Sequence, residues 1–423
     1  MVSNLHIFSS VILRVSFAAL SFVTVAVMAR YLPPEVFGQY TLYLSIFTLA
    51  IIPFTSGVSK FNVRQLAKGS VRVERLLNEQ RYLVIFLVVA SVIVSVNLLL
   101  FHYNLDLILL VVLFPLAVLI NAEMSCLRGL GHHLSGNIDA LFLRPIILLF
   151  LVIVCIGFDV SVTTSILIYI FVLAYILARV VVHPWVHLPV YKPRSPRLMG
   201  TTRVKKMVGM LTLIGSAEVI SVNLDLFFLG YLSNVTDVAA YKVAISIRNV
   251  ALLPTMSFNL FLPFLMAKIA QSTFKRDINF QIKILVKISC FFAFLYAGMY
   301  FLFGERLISE IFGEHYTSSY YLVFPLLGGI IIAALCGPVV ERLIGLGAEK
   351  DVLGIVILSL AVSGALNVLL IPTFGALGAA IASSCGYILL NLMACAVLKF
   401  KYGFSVGIFM FFCDEKSDTQ HLL

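Results

Sequence analysis

Six ionisable residues stand inside apolar spans, where such a chain has least room for them: the cations Arg14, Arg144, Lys242 and Arg248, and the acids Glu218 and Asp225; a fifth cation, Lys60, lies just past the second span. A charge at the centre of a membrane helix costs roughly 2.5–3.5 kcal/mol on insertion scales, so such a residue faces a partner, a wet cavity or a bundle interior. Arg14 shares a helical face with Ser10, Ser21 and Thr24. That stripe fits either an anion-binding side chain or an arginine snorkelling to the interface. Lys242, Ser246 and Asn249 form a second stripe, with Arg248 about 100° round from Asn249. Arginine and lysine in such places can replace part of an anion's hydration shell with charge-assisted hydrogen bonds. Glu218, Ser221 and Asp225 fall at i, i+3 and i+7, which is again one face. They suit a proton- or cation-coupling site, or hydrogen bonding between helices. Glu123 and Arg144, on successive spans, read either as a structural pair or as an acid beside an anion-binding arginine.

No catalytic residue or metal site is expected. The seven cysteines are dispersed without a CxxC pair, and His132, His133, His183 and His187 lack a third ligand at metal spacing. His102 and Asp106 are one residue short of an H-x-x-x-x-D arrangement, and neither a nucleophile elbow nor a phosphate-binding loop occurs. No cofactor is implied.

The elements holding these residues follow from composition. Of 423 residues, 61% are hydrophobic and 12% charged, and the mean hydropathy is +1.06. A soluble domain is nearer half apolar and a quarter charged. So much apolar surface excludes an ordinary soluble enzyme, a disordered chain and a nucleic-acid-binding module. A bilayer core takes about 20 apolar residues per helix. Twelve such runs are predicted, near 9–29, 40–58, 82–101, 107–127, 141–158, 162–182, 208–230, 239–264, 284–303, 320–338, 352–371 and 376–398. The first is long enough to span and ends without a signal-peptide cleavage pattern. Lys60, Arg64, Lys68, Arg72, Arg75 and Arg81 crowd the second loop, and Lys192, Arg194, Arg197, Arg203, Lys205 and Lys206 the sixth. The opposite side holds only Arg30 and Arg306 outside the spans. Cations gather on the cytoplasmic side, so both termini are expected there. The net charge of +10 therefore reports topology and contact with anionic lipids before any other partner.

Two stretches repeat. Arg30-Tyr31-Leu32…Tyr40…Pro53 echoes Gly230-Tyr231-Leu232…Tyr241…Pro254, and Arg128-Gly-Leu-Gly131 echoes Ile344-Gly-Leu-Gly347. The expected organisation is a six-helix bundle over 1–182, a Pro-rich basic linker over 183–206 and a second six-helix bundle over 207–423. An even number of spans per half makes these parallel repeats, related by a pseudo-two-fold axis along the membrane normal. The fold class is therefore an all-α membrane protein of about twelve transmembrane helices.

The string Ala29 to Tyr40 resembles the helix 1–2 signature of the polysaccharide transporter family, A-R-x-L-x-x-x-x-[FY]-G-x-[YF]. Gly345-Leu-Gly347…Asn367…Ile371-Pro372…Gly375-Ala-Leu-Gly378-Ala-Ala-Ile-Ala382 is similar to its helix 11–12 hairpin. Within that family the chain looks like an O-antigen (Wzx-type) flippase, in the MOP superfamily with multidrug exporters of the MATE type and the lipid II flippase. The resemblance implies a bacterial inner-membrane transporter, not an enzyme. It would move an undecaprenyl-diphosphate-linked oligosaccharide to the periplasmic leaflet by alternating access, with other polysaccharide assembly proteins as candidate partners. Arg14, Lys60, Arg144, Lys242 and Arg248 are the candidates for its anionic headgroup, and Glu218 and Asp225 for ion coupling. A MATE-type small-molecule exporter and a membrane-embedded polymerase or acyltransferase are the alternatives.

Overall fold

The computed structural model describes residues 4–67, 73–100, 105–132, 135–182, 201–259, 275–403 and 407. Side chains of 1–14, and that of Glu218, lie outside the described set, as do the central linker up to residue 200 and the C-terminal tail.

Among the described residues there is no strand, and all twelve predicted spans are helices. In chain order they are α1 (Asn4–Tyr31), α2 (Pro34–Ala67), α3 (Val73–Leu100), α4 (Leu105–Gly129), α5 (Ser135–Gly157), α6 (Thr164–Val182), α7 (Thr201–Leu232), α8 (Val235–Asn259), α9 (Lys275–Ile311), α10 (Ser319–Cys336), the short α11 (Val339–Gly345), α12 (Glu349–Phe374) and α13 (Ala376–Phe400). Among the described residues, α2, α4, α5, α6, α9, α10, α12 and α13 carry stretches long and apolar enough to cross a membrane, and α1, α3 and α7 carry shorter ones. The exception is α8, which holds Asp237, Lys242 and Arg248.

Two compact units result: Ala19–Phe227, and Met1–Ala18 with Phe228–Leu423. In the first, α4 packs on α2, α3 and α6, α5 lies along α6, and α2 touches α6. In the second, α10 packs on α8, α9 and α13, α12 lies along α13, and α8 touches α13. These are the same five pairings six spans later, so each unit repeats the other's helix connectivity.

The sequence echoes have identical hydrogen bonding. At the end of α1, the amides of Leu32 and Phe37 donate to the carbonyls of Met28 and Pro33; at the end of α7, those of Ser233 and Val238 donate to Leu229 and Asn234. After α4, Leu130, Gly131 and His132 donate to Cys126, Arg128 and Leu127, while Leu346, Gly347 and Ala348 donate to Arg342, Ile344 and Leu343. Both are Schellman turns, and their glycines take φ of +91° and +77°, where a side chain is disfavoured. The halves differ next to this turn. Continuous α4 corresponds to α10 plus α11, because Gly337, at φ +73°, and Pro338 interrupt the second copy.

Small residues set the closest packing. Along α12 and α13 the Ser359 hydroxyl donates to the Gly386 carbonyl at 2.6 Å. A Cβ on Gly386 would meet the Ser363 side chain, and one on Gly378 would meet the Leu370 backbone. This is the close approach that small residues permit between membrane helices.

Candidate functional site

In the first unit the polar groups centre on α5. One π-turn, Asp139–Leu143, interrupts the helix, and the Arg144 amide donates to the Asp139 carbonyl five residues back. The extra residue in that turn brings side chains at i and i+5 together. The Arg144 Nη2 donates to the Asp139 Oδ2 at 2.6 Å. The guanidinium also lies over the Tyr175 ring, 4.2 Å from its centroid, a cation–π contact. Tyr175 belongs to an apolar cluster with Ile120, Met124 and Leu127 of α4 and Leu143 of α5, which fixes its ring.

One turn further along α6, Arg179 meets Glu123 of α4 at 2.6 Å. The Glu123–Arg144 pair expected from sequence is thereby corrected: each takes another partner, because the π-turn rotates Arg144 toward Asp139 and Tyr175. At the end of α4, Arg128 donates to Asn137 Oδ1 at 3.0 Å and to Ser59 Oγ at 2.9 Å. Asn62 of α2 donates to Ser125 of α4 at 2.7 Å. Lys60 is exposed beside Ser59.

In the second unit, α8 is held by Tyr296 of α9, whose hydroxyl donates to the Ile247 carbonyl at 2.9 Å. Ser319 of α10 donates likewise to Ala240 at 3.0 Å. Tyr241, Val243, Ala244, Ile245 and Ile247 are buried, so α8 is anchored by its apolar side. Lys242 and Arg248 are half-buried and lie six residues apart on α8. Arg248 donates from Nη2 to Asn249 Oδ1 at 3.2 Å, and its buried Nε has no hydrogen-bond partner. Among the described residues no carboxylate forms an ion pair with either. Asp225 is fully buried in α7. The side chains of Arg14 and Glu218 lie outside the described residues.

Of the sequence candidates, the fold thus places Lys242 and Arg248 half-buried on one helix and gives Arg144 its own counter-ion. Asp139, Tyr175, Arg179 and Arg128 were missed as site residues. An i, i+5 acid–base pair is invisible to a 3.6-residue period, and Tyr175 looks like any aromatic of an apolar span.

Solved structures share this fold at low identity. One is the inward-facing conformation of a multidrug resistance MATE family transporter of the MOP superfamily, with TM-score 0.67, 14% identity, and coverage of 93% of this chain and 98% of that one. Another is the lipid II flippase MurJ in an inward closed conformation, with TM-score 0.69, 11% identity, and coverage of 92% and 87%. A MOP superfamily transporter from Pyrococcus furiosus gives TM-score 0.61, 13% identity, and coverage of 92% and 95%. The chain is a multi-pass membrane protein with the fold of the MOP-superfamily transporters. A family model described as "Polysaccharide biosynthesis protein" matches residues 6–266. That is more than half of the chain, which belongs to this family. A search of curated proteins gives no match.

Proposed function

We propose that this protein is a flippase that carries an undecaprenyl-diphosphate-linked oligosaccharide, an O-antigen repeat or similar surface-polysaccharide unit. It moves this lipid from the cytoplasmic to the periplasmic leaflet of the bacterial inner membrane, with both termini in the cytoplasm. The two repeated helical units are the bodies whose rearrangement alternates access. The carrying observation is the pair Lys242 and Arg248 on α8, two half-buried cations with which no carboxylate among the described residues forms an ion pair. Like charges held half-buried on one helix favour an anionic ligand, and a lipid-linked diphosphate is one. Membership of the polysaccharide biosynthesis family supports the glycan part. A MATE-type exporter of cationic compounds is the second reading, since that fold is shared; two cations on α8 weigh against it. The test is deletion followed by analysis of lipid-linked glycans. Accumulation of complete repeat units on the cytoplasmic carrier is expected; unchanged glycans and loss of drug efflux would establish the exporter instead. Tags at Gly69 and near Glu314 should report cytoplasm and periplasm respectively, and the reverse would overturn the direction of transport.

A further inference from the structure

Arg144 and Asp139 form an incomplete ion pair. The Arg144 Nε and the Asp139 Oδ1 are both buried without a hydrogen-bond partner. A buried pair repays its desolvation only when its remaining donors and acceptors are also satisfied. This pair is therefore poor as a purely structural link. Its two ends also differ in access: the Arg144 side chain keeps 13% of its surface exposed, the Asp139 side chain 1%. An approaching ligand meets the guanidinium first, with the carboxylate behind it. The Tyr175 ring covers one guanidinium face and Asp139 takes Nη2, so an incoming anion meets the exposed part of the side chain while the buried Nε keeps an unused donor. A π-turn, a distortion common at functional sites, creates the arrangement.

Resting on the flippase reading, we infer that Arg144 is a contact for the diphosphate and that Asp139 is a built-in competing anion which weakens that contact so that the ligand can leave. Asp139 orients the guanidinium and repels the second negative charge that Arg144 attracts. Tyr175 is a positioning residue, fixing the plane of the guanidinium. Arg179 has its own acid, Glu123, so the neighbouring charges of α4 and α6 balance and leave Asp139 as the local control on Arg144.

The test compares full-length protein in nanodiscs, wild type against Asp139→Asn, for binding of inorganic pyrophosphate and of undecaprenyl diphosphate. Asparagine keeps an acceptor for Nη2 and removes the repulsion. Both ligands should then bind roughly tenfold tighter, with slower lipid release and lower turnover. Unchanged or weaker binding by folded Asp139→Asn overturns the inference. Should that variant not fold, the double variant Asp139→Asn with Arg144→Gln decides. Binding below wild type supports the site, and binding equal to wild type overturns it. Lipid that binds equally well to wild type and Asp139→Asn removes this inference and leaves the flippase. Pyrophosphate that tightens on Asp139→Asn, with no variant binding the lipid, retains the anion site and removes the lipid-linked substrate.

Discussion

Glu123 on α4 and Arg179 on α6 meet at 2.6 Å, each keeping 18% of its side-chain surface exposed. The pair ties the two helices across the apolar cluster of Ile120, Met124 and Leu127. Removing one partner leaves the other charge buried, at about 3 kcal/mol for a well-buried pair. Glu123→Gln should therefore lower thermal stability in detergent, and Arg179→Gln combined with it should recover much of the loss. Equal melting temperatures for wild type and Glu123→Gln would show that the pair contributes nothing to holding α4 on α6.

Two glycine classes should separate cleanly. Gly131 and Gly347 need only a left-handed backbone, with nothing near a new Cβ, so alanine there should cost about 1–2 kcal/mol. Gly378 faces the Leu370 carbonyl and the Ile371 amide, backbone atoms that cannot move aside. Alanine at Gly378 should cost about 3 kcal/mol or more. Thermal melts of the three variants decide the ranking; Gly378→Ala as mild as Gly131→Ala would contradict the packing of α12 on α13.

The end of α13 offers a pH prediction. Lys401 donates to both carboxylate oxygens of Asp351 at 2.7 Å, and this hydrogen bond raises the Lys401 ammonium above its usual range. A raised lysine contributes stability fully below its unfolded pKa, about 10.4, and loses it as pH climbs through the folded value. Lys401→Met should therefore differ from wild type by a constant amount between neutral pH and mild alkali. The gap in melting temperature should then close at higher pH. A gap that persists there would assign the effect to packing and not to charge.

The residues that sequence reveals and those it hides differ in how locally they are determined. Helix ends were legible because a Schellman turn depends on one glycine, so Arg128-Gly-Leu-Gly131 and Ile344-Gly-Leu-Gly347 declared themselves. The break at Gly337–Pro338 was hidden, since the seven residues of α11 are too few to show a period. Arg144 was legible as a charge in an apolar run, but its partner was not. The π-turn moves the contact from i+4 to i+5, and Tyr175 arrives from a helix 31 positions away. Lys242 and Arg248 could be placed on one helix from spacing alone. Which side of α8 is anchored needed the contacts of Tyr296 and Ser319.

Lys242 and Arg248 carry the sharpest test of the proposed substrate. An anion that reaches both of these half-buried cations on α8 gains from each. Arg248→Ala should weaken headgroup binding roughly 10- to 100-fold, the range of a lost charge-assisted hydrogen bond. Arg248→Lys should rescue partly, because it keeps the charge and loses the planar fork. Arg248→Gln should fail nearly as badly as alanine. Lys242→Met should weaken binding while raising thermal stability, because it removes a half-buried charge; a purely structural lysine would give the second effect without the first. The same series at Arg14 probes the other sequence candidate on α1. Binding of undecaprenyl diphosphate, read beside protein abundance, separates the outcomes. Normal abundance with unaltered binding in Arg248→Ala and Lys242→Met would remove both residues from the site and leave the headgroup to Arg144.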